Sequence, residues 1–218
     1  MKLIKLFAPL IVMTISLGAC GDSSVSKQDV LDYLLSDLEE SGYMPEGISE
    51  EDIGELYICY VDGIKAKSGD SYGEILADIK SEKDSKYVGM VTDFQAPCIA
   101  DSRKALEFYM NLYPMASPGK PVDFSDVGNY HREAAVLWLE DWLWANTPAT
   151  DEIPLGGTGR SGETLYCMAD YIAENSGDSH RDILIDLMNT FMQDIGAELK
   201  RPKYESLFEP AELSCLDY

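Results

Sequence analysis

Positive charges and histidines are scarce in this sequence. Its 218 residues include 17 Lys and Arg against 39 Asp and Glu, and only two histidines. The formal net charge is −22, and a chain of that charge is repelled by the phosphates of nucleic acids and by anionic bilayers. We therefore predict no nucleic-acid partner and no membrane binding by simple electrostatic attraction.

Residue patterns for metal binding and catalysis are also scarce. The sequence has no HExxH and no CxxC, and neither His131 nor His180 lies at ligand spacing from a cysteine. His131 is expected to be a buried or capping side chain, and His180 a surface or packing group in the first turn of a helix. The sequence therefore predicts a protein without enzymatic activity, metal or cofactor.

Strand patterns are missing as well. No alternating apolar run is bounded by hairpin turns, as β-strands would require. Apolar residues recur instead at spacings of three and four over 53–64, which is typical of an amphipathic helix. The most apolar predicted helix covers 126–145, and its pair Trp138 and Trp142 is expected to belong to the core rather than to a ligand shelf. We predict an all-α fold.

The N-terminus has the features of an export signal. Residues 1–19 carry Lys2 and Lys5 and then an uncharged apolar run, which is shorter than the about 20 residues that a transmembrane helix needs. We predict that residues 1–19 are a signal peptide; a short transmembrane anchor is the alternative. Because this segment holds two bases and no acid, its removal changes the formal charge to −24.

Residues 17–20, Leu-Gly-Ala-Cys, resemble the bacterial lipobox. The resemblance implies cleavage before Cys20 and acylation of that cysteine by two or three chains, which anchor a protein stably in a bilayer. Gly21, directly after the cysteine, implies the outer rather than the inner membrane. We therefore expect a lipid-anchored protein of the cell envelope that faces the periplasm, with residues 20–26 as its tether.

The chain contains an internal repeat at an offset of 108 residues. Residues 59–78 align with residues 167–186 without a gap, and ten of the 20 positions are identical. Ordinary composition would give roughly one identity. We therefore predict two copies of one helical hairpin unit, in a first half at 27–145 and a second half at 146–218, which pack as one domain or as two.

Each copy contains the tetrapeptide Ser-Gly-Asp-Ser. Gly69 and Gly177 stand where a helix ends in a left-handed residue, and Ser71 and Ser179 stand where the next helix begins. We predict a helix stop followed by a helix start. A calcium or phosphate loop is the alternative, but the further carboxylates of an EF-hand and the lysine of a P-loop are missing.

Four aspartates of the helices occur at equivalent positions of the two copies: Asp62, Asp78, Asp170 and Asp186. Helix carboxylates commonly accept hydrogen bonds from a neighbouring backbone or pair with a base across a hairpin. We expect such contacts here. A cation site built by the four carboxylates is the alternative.

Four cysteines follow Cys20 in the sequence: Cys59, Cys98, Cys167 and Cys215. An even number in an exported chain indicates disulfides, with buried free thiols and a zinc site as the alternatives. Each copy has one cysteine in its first helix and one after the hairpin. The pairing that respects the repeat is therefore within copies, Cys59 with Cys98 and Cys167 with Cys215.

The pattern Cys59-x-x-x-Gly63 followed by Cys98 resembles that of small helical periplasmic immunity proteins that protect bacteria from type VI secreted amidases. In the second copy, Tyr171 replaces the glycine. The resemblance implies an inhibitor, and a strongly acidic inhibitor reaches a basic partner quickly through long-range attraction. A structural or chaperone-like envelope lipoprotein is one alternative, and a metal-dependent receptor or enzyme that uses the duplicated aspartates is another.

The glycine-rich segment 156–162 is the expected contact surface for a protein partner, because a long loop can enter a cleft. Its contact residues would be Gly157, Gly159 and Arg160. Asp70 and Asp178, at the hairpin turns, are expected to flank this segment as steering charges. A mobile linker and an anion site on backbone N–H groups are the alternatives for the segment.

Overall fold

The structure, a computed structural model, describes residues 25–41, 49–81, 85–112, 123–126, 128–146, 162–191 and 201–216. The regular secondary structure of these residues is entirely α-helical, which confirms the all-α prediction. The nine helices of this described part are α1 (Lys27–Ser41), α2 (Glu50–Ser68), α3 (Tyr72–Ile79), α4 (Val88–Asp101), α5 (Arg103–Leu112), α6 (Tyr130–Asn146), α7 (Gly162–Ser176), α8 (His180–Phe191) and α9 (Glu205–Cys215). None of these nine is both long enough and apolar enough to cross a membrane.

The chain divides into two compact units, unit 1 at Met1–Ala105 and unit 2 at Leu106–Tyr218. This boundary differs from the one that the sequence analysis placed after residue 145. The difference has a packing cause, because α6 contacts α7 and α8 and therefore belongs to unit 2. Ala134, Ala135 and Leu139 of α6 are fully buried.

In unit 1, α2 packs against α1 and α4, and α1 also contacts α3. The core consists of buried side chains from these helices and the turn before α4: Val30, Val61, Ile64, Ile75 and Tyr87. α2 and α4 approach each other closely at Gly63, where a Cβ atom would lie 2.8 Å from Cγ of Phe94. A larger residue at this position would therefore have to displace the phenylalanine ring.

In unit 2, α6 packs against α7 and α8, and α7 packs against α9. Apolar side chains of α7 and α8 fill the core and are almost completely buried: Met168, Ile172, Ile183, Leu184, Leu187 and Met188. Trp138 is buried, and the ring of Trp142 packs against Phe208 with centroids 4.6 Å apart. Both tryptophans thus pack within unit 2, as expected from the sequence.

Each unit contains one pair of cysteines at disulfide distance. The Cα atoms of Cys59 and Cys98 are 5.7 Å apart, and those of Cys167 and Cys215 are 5.8 Å apart. The first pair joins α2 to α4, and the second joins α7 to α9. These are the two pairs predicted from the sequence.

Candidate functional site

The tetrapeptide Ser-Gly-Asp-Ser forms the turn between α2 and α3 in unit 1 and between α7 and α8 in unit 2. Gly69 has a φ of 77° and Gly177 a φ of 76°. The N–H of Gly69 donates to the carbonyl of Lys65, and that of Gly177 donates to the carbonyl of Ala173, each at 3.0 Å. Both glycines therefore end their helix in the left-handed region, as predicted.

The serine of each turn begins the next helix. The hydroxyl of Ser71 donates to Oε2 of Glu74 at 2.7 Å and accepts from the Glu74 N–H at 3.3 Å. Ser179 and Asp182 make the same two bonds at 2.6 and 3.3 Å. The N–H and hydroxyl of Ser71 lower the pKa of Glu74 below its ordinary value. Because these groups bond to each other, the turns fit the predicted helix caps better than a calcium or phosphate loop.

The turn of unit 1 also fits the pattern Gly-x-Ser-x-Gly, from Gly69 to Gly73. A serine nucleophile in this pattern sits on a sharp turn between a strand and a helix and contacts a base. Ser71 instead follows α2, and its hydroxyl is bonded to Glu74. The pattern here is therefore a pair of helix caps and gives no support for a serine hydrolase.

The aspartate of each turn holds a lysine and a tyrosine from the start of a later helix. In unit 1, Oδ2 of Asp70 accepts from Nζ of Lys86 at 2.8 Å and from the hydroxyl of Tyr87 at 2.7 Å. We call these three residues the Asp70 cluster. In unit 2, Oδ2 of Asp178 accepts from Lys203 at 2.5 Å and from Tyr204 at 2.8 Å, and these three residues form the Asp178 cluster.

The clusters keep their aspartates ionised and their tyrosines neutral. Bonds from Lys86 and then Tyr87 lower the pKa of Asp70, and bonds from Lys203 and then Tyr204 lower the pKa of Asp178. Burial and the bond to Asp178 raise the pKa of Tyr204 to about 12. These contacts give Asp70 and Asp178 a structural role within their own units, and their role as steering charges for a partner stays a prediction.

Asp62 of unit 1 and Asp170 of unit 2 each contact a base near the start of the preceding helix and an aromatic side chain at the start of the following helix. Asp62 accepts from Lys27 at 3.0 Å and from the hydroxyl of Tyr72 at 3.3 Å. Asp170 accepts two bonds from the Arg132 guanidinium, at 2.8 and 2.6 Å, and its Oδ1 lies 3.0 Å from Nε2 of His180. The bonds from Arg132 are the main cause that lowers the pKa of Asp170.

Asp78 and Asp186 are also engaged locally. Asp78 accepts from the hydroxyl of Ser85 at 2.5 Å, and Asp186 accepts from the backbone N–H of Lys203 at 2.7 Å. Three of the four duplicated aspartates thus make the kinds of contact expected of helix carboxylates, because Asp62 and Asp170 pair with a base and Asp186 accepts from a backbone N–H. Asp78 accepts from a serine hydroxyl instead. Across the described residues, no group of three or more His, Cys, Asp or Glu side chains could hold a metal ion.

The two histidines lie within unit 2 and have different surroundings. His180 contacts Asp170 from the first turn of α8, so the expected packing group is also a hydrogen-bonding group. His131 is half-buried beside Tyr130, with ring centroids 4.1 Å apart. His131 was expected to be a buried or capping side chain, and the structure shows it only half-buried.

The lysine and tyrosine of both clusters were not predicted from the sequence. The signal for them is the dipeptide Lys-Tyr at 86–87 and at 203–204, where the tyrosine stands eleven residues before Cys98 and Cys215. These dipeptides are offset by 117 residues rather than 108, because α8 and the connection after it are both longer than α3 and the connection after it. An alignment at one fixed offset does not bring them together.

Several predicted site residues lie outside the described residues. Cys20, the predicted acylation site, falls in 1–24, and the predicted contact residues Gly157, Gly159 and Arg160 fall in 147–161. Their predicted roles therefore stay predictions.

Comparison of the chain with protein-family models, with curated proteins and with solved structures finds no match.

Proposed function

We propose that this chain is a lipid-anchored acidic binding protein that faces the periplasm and inhibits a basic protein partner. The observation that carries the proposal is the distribution of charge. Acidic residues outnumber basic residues by 39 to 17, and nine lysines and arginines of the described part contact a carboxylate or an aromatic ring of their own unit. The resulting surface field is negative and attracts a positively charged partner from a distance.

Nine lysine and arginine side chains contact a carboxylate or an aromatic ring of the same unit. Six of them pair with a carboxylate at nitrogen–oxygen distances of 3.1 Å or less, and one pairs at 3.7 Å. The other two are lysines whose Nζ atoms lie 3.7 and 4.7 Å from the centroid of a tyrosine ring. They are Lys27, Lys65, Lys67, Lys80, Lys86, Arg132, Arg181, Arg201 and Lys203. The scarce bases thus neutralise selected carboxylates and leave the acidic excess to solvent.

Part of this excess is concentrated where α1 ends and α2 begins. A hydrogen bond shared with Glu50, together with repulsion between the two carboxylates, raises the pKa of Glu39. Burial and then repulsion by Glu40 raise the pKa of Asp37. Like charges held this closely gain from a nearby cation, which favours a basic partner over a neutral one.

Two resemblances support the compartment and the class of partner. The lipobox-like residues 17–20 favour acylation of Cys20, and two cysteine pairs at disulfide distance fit an oxidising compartment such as the periplasm. The pattern of Cys59, Gly63 and Cys98 favours an amidase as the partner. Close packing of Gly63 against Phe94 gives a physical reason for the glycine of that pattern.

We also propose that the units are two copies of one four-helix unit, in which α1, α2, α3 and α4 correspond to α6, α7, α8 and α9. The same kinds of contact recur: a base from the first helix binds Asp62 or Asp170, and the Asp70 cluster has its equivalent in the Asp178 cluster. One residue pair differs in a complementary way. In unit 1 the small residue, Gly63, lies in α2 and the large one, Phe94, lies in α4; at the corresponding positions of unit 2, the large residue Tyr171 lies in α7 and the small residue Ala211 lies in α9.

The test of the proposed function is capture of a partner at two salt concentrations. The mature chain with Cys20→Ser, which removes the predicted lipid, is immobilised and exposed to periplasmic extract in about 50 mM and about 500 mM salt. Screening shortens the Debye length from about 14 Å to about 4 Å over this range. We expect a basic protein to bind at low salt and to be lost at high salt, and the purified partner to lose its amidase activity when the chain is added.

A charge-matched pair of variants sharpens this test. Neutralising Glu39, Glu40 and Glu50 to Gln removes three charges from the end of α1 and the start of α2. The control variant neutralises three exposed and more dispersed carboxylates of unit 2: Glu163, Glu174 and Glu209. We expect slower association for the first variant than for the control. Capture of no partner at either salt concentration would favour the structural or chaperone-like alternative.

A further inference from the structure

We propose that the Asp70 cluster and the Asp178 cluster set the register of their helices, so that the correct cysteines face each other before the disulfides form. In unit 1, Lys86 and Tyr87, immediately before α4, bind Asp70 just after the end of α2. Further along α4, Cys98 meets Cys59 of α2. The two helices therefore run antiparallel and are held together at two joints, the Asp70 cluster and the pair of Cys59 and Cys98.

The two joints are separated by equal lengths of chain on both helices. Asp70 stands eleven residues after Cys59, and Tyr87 stands eleven residues before Cys98. At about 1.5 Å of rise per helical residue, α2 covers about 14 Å from Cys59 to its last residue, Ser68, and the turn residues Gly69 and Asp70 follow; the stretch from Tyr87 to Cys98 covers about 16 Å. Because both sides contain eleven residues, the bond between Asp70 and Tyr87 determines which residue of α4 lies level with Cys59.

Unit 2 has the same spacing despite a longer connection. Asp178 stands eleven residues after Cys167, and Tyr204 stands eleven residues before Cys215. The aspartate and the lysine of the cluster are 16 residues apart in unit 1 and 25 residues apart in unit 2. The number of residues between the two joints is thus the same in both units. The stretch of chain between the aspartate and the lysine, which includes α3 or α8, differs in length.

Disulfide formation is sensitive to this register. A slip of one residue along α4 would move Cys98 by about 1.5 Å and rotate it by about 100° around the helix axis. Cysteines form a disulfide when their Cα atoms are about 4.4 to 6.8 Å apart and their Cβ atoms face each other. A cluster that fixes the register therefore also fixes the choice of cysteine partner.

The cluster needs no oxidant, whereas the disulfide does. Two cysteine thiols form each disulfide by losing two electrons and two protons to an oxidant such as glutathione disulfide, which is thereby reduced to two glutathione thiols. The ion pair and the tyrosine bond can hold α4 on α2 while Cys59 and Cys98 are still reduced. They raise the effective concentration of Cys98 at Cys59 relative to the cysteines of unit 2.

The test is oxidative refolding of the reduced mature chain with Cys20→Ser in a mixture of reduced and oxidised glutathione. Samples are quenched at intervals, and peptide mapping gives the fraction of each cysteine pair. Lys86→Met with Tyr87→Phe removes both donors and keeps the aromatic ring. We expect Cys59 to pair with Cys98 about fivefold more slowly in this variant, while the pair of unit 2 forms at the wild-type rate.

The corresponding variant of unit 2, Lys203→Met with Tyr204→Phe, should slow only the pair of Cys167 and Cys215. Lys86→Arg with Tyr87 retained keeps a cationic donor and should pair as the wild type does. Quenching at early times makes the measurement independent of whether a variant reaches a stable fold.

Core variants of the same units separate register from general stability. Ile75 and Ile183 occupy equivalent buried positions outside the clusters, and Ile75→Val and Ile183→Val should leave the pairing rates unchanged. The proposal is overturned if these core variants slow pairing as much as the cluster variants do. It is also overturned if the cluster variants form both native pairs at wild-type rates.

Discussion

Asp62 of unit 1 and Asp170 of unit 2 stand at equivalent positions of the repeat but have different partners. Asp62 binds a lysine and a tyrosine through single bonds of 3.0 and 3.3 Å. Asp170 binds an arginine through two bonds of 2.8 and 2.6 Å and contacts a histidine. The position thus keeps its carboxylate while the residues that bind it change.

The Asp70 and Asp178 clusters behave differently, because lysine and tyrosine are the partners in both units. A contact that only ties two helices together tolerates different donors. A contact that fixes a register depends on where its donors stand along the chain, and in both units the tyrosine stands eleven residues before the cysteine of the following helix. Variants at equivalent positions of the two units measure where the units agree and where they differ.

Loss of a disulfide is expected to have the largest effect and to be nearly equal in the two units. The cysteine pairs close 39 and 48 residues of chain, and the chain-entropy model gives roughly 4 kcal/mol of stabilisation for each. We expect Cys59→Ala with Cys98→Ala and Cys167→Ala with Cys215→Ala to lower the free energy of unfolding by similar amounts in urea titrations. A clearly unequal loss would show that the two pairs do not have equivalent roles.

Truncation of a repeated leucine should separate the units by their burial. Leu184 is fully buried, whereas Leu76 at the equivalent position is only partly buried. Leu184→Ala should lower the free energy of unfolding by about 2 to 5 kcal/mol, and Leu76→Ala should cost less. Urea unfolding of both variants measures the difference, and equal losses would contradict it.

Local signals in the sequence were sufficient to predict the all-α class, the helices on either side of the two Ser-Gly-Asp-Ser turns, the caps at those turns and the cysteine pairs. They did not predict α9, and they placed the start of α6 at residue 126 rather than at Tyr130. Apolar spacing defines a helix face, and the residues around Gly69 and Ser71 carry the stop and start signals within four positions. The boundary between the units could not be predicted in this way, because α6 is assigned to unit 2 by contacts with helices that follow it in the chain. The long glycine-rich segment after α6 misled the prediction.

The candidate site was predicted less completely, for a related reason. The aspartates were visible because they lie in the part of the repeat that aligns without a gap. Lys86 and Tyr87 correspond to Lys203 and Tyr204 only when a longer loop in unit 2 is allowed for. The donors to each aspartate stand 16 to 26 residues after it in the chain. The residue pattern around the aspartate does not show which later residues come back to contact it.

The turn glycines should show the closest agreement between the units. Gly69 and Gly177 have the same left-handed φ, and no atom blocks a Cβ at either position. Strain of the left-handed backbone is therefore the only expected cost, about 1 kcal/mol for each alanine. Thermal or urea unfolding of Gly69→Ala and Gly177→Ala should give equal losses, and a loss confined to one variant would break the equivalence of the turns.

The smallest effect is expected for Asp62, and the effect of its counterpart Asp170 depends on pH. The Arg132 guanidinium holds the pKa of Asp170 below its ordinary value of 3.8. A carboxyl group with a lowered pKa in the folded state stabilises the fold above its unfolded pKa, and this stabilisation disappears as the pH falls through the folded value. Unit 2 should therefore lose this contribution below about pH 4.

Asp170→Asn should lower the free energy of unfolding by about 1 kcal/mol at pH 7, because 41% of the aspartate side chain is exposed and water screens the pair. The loss should shrink as the pH falls below about 3.8, because the wild-type carboxylate then becomes protonated as well. Asp62→Asn, which removes single bonds to an exposed lysine and a tyrosine, should cost less than about 0.5 kcal/mol at pH 7. Urea titrations of both variants between pH 3 and pH 7 measure these differences. An equal cost for the two substitutions at pH 7 would show that the paired bonds from Arg132 stabilise unit 2 no more than the single bonds of Asp62 stabilise unit 1.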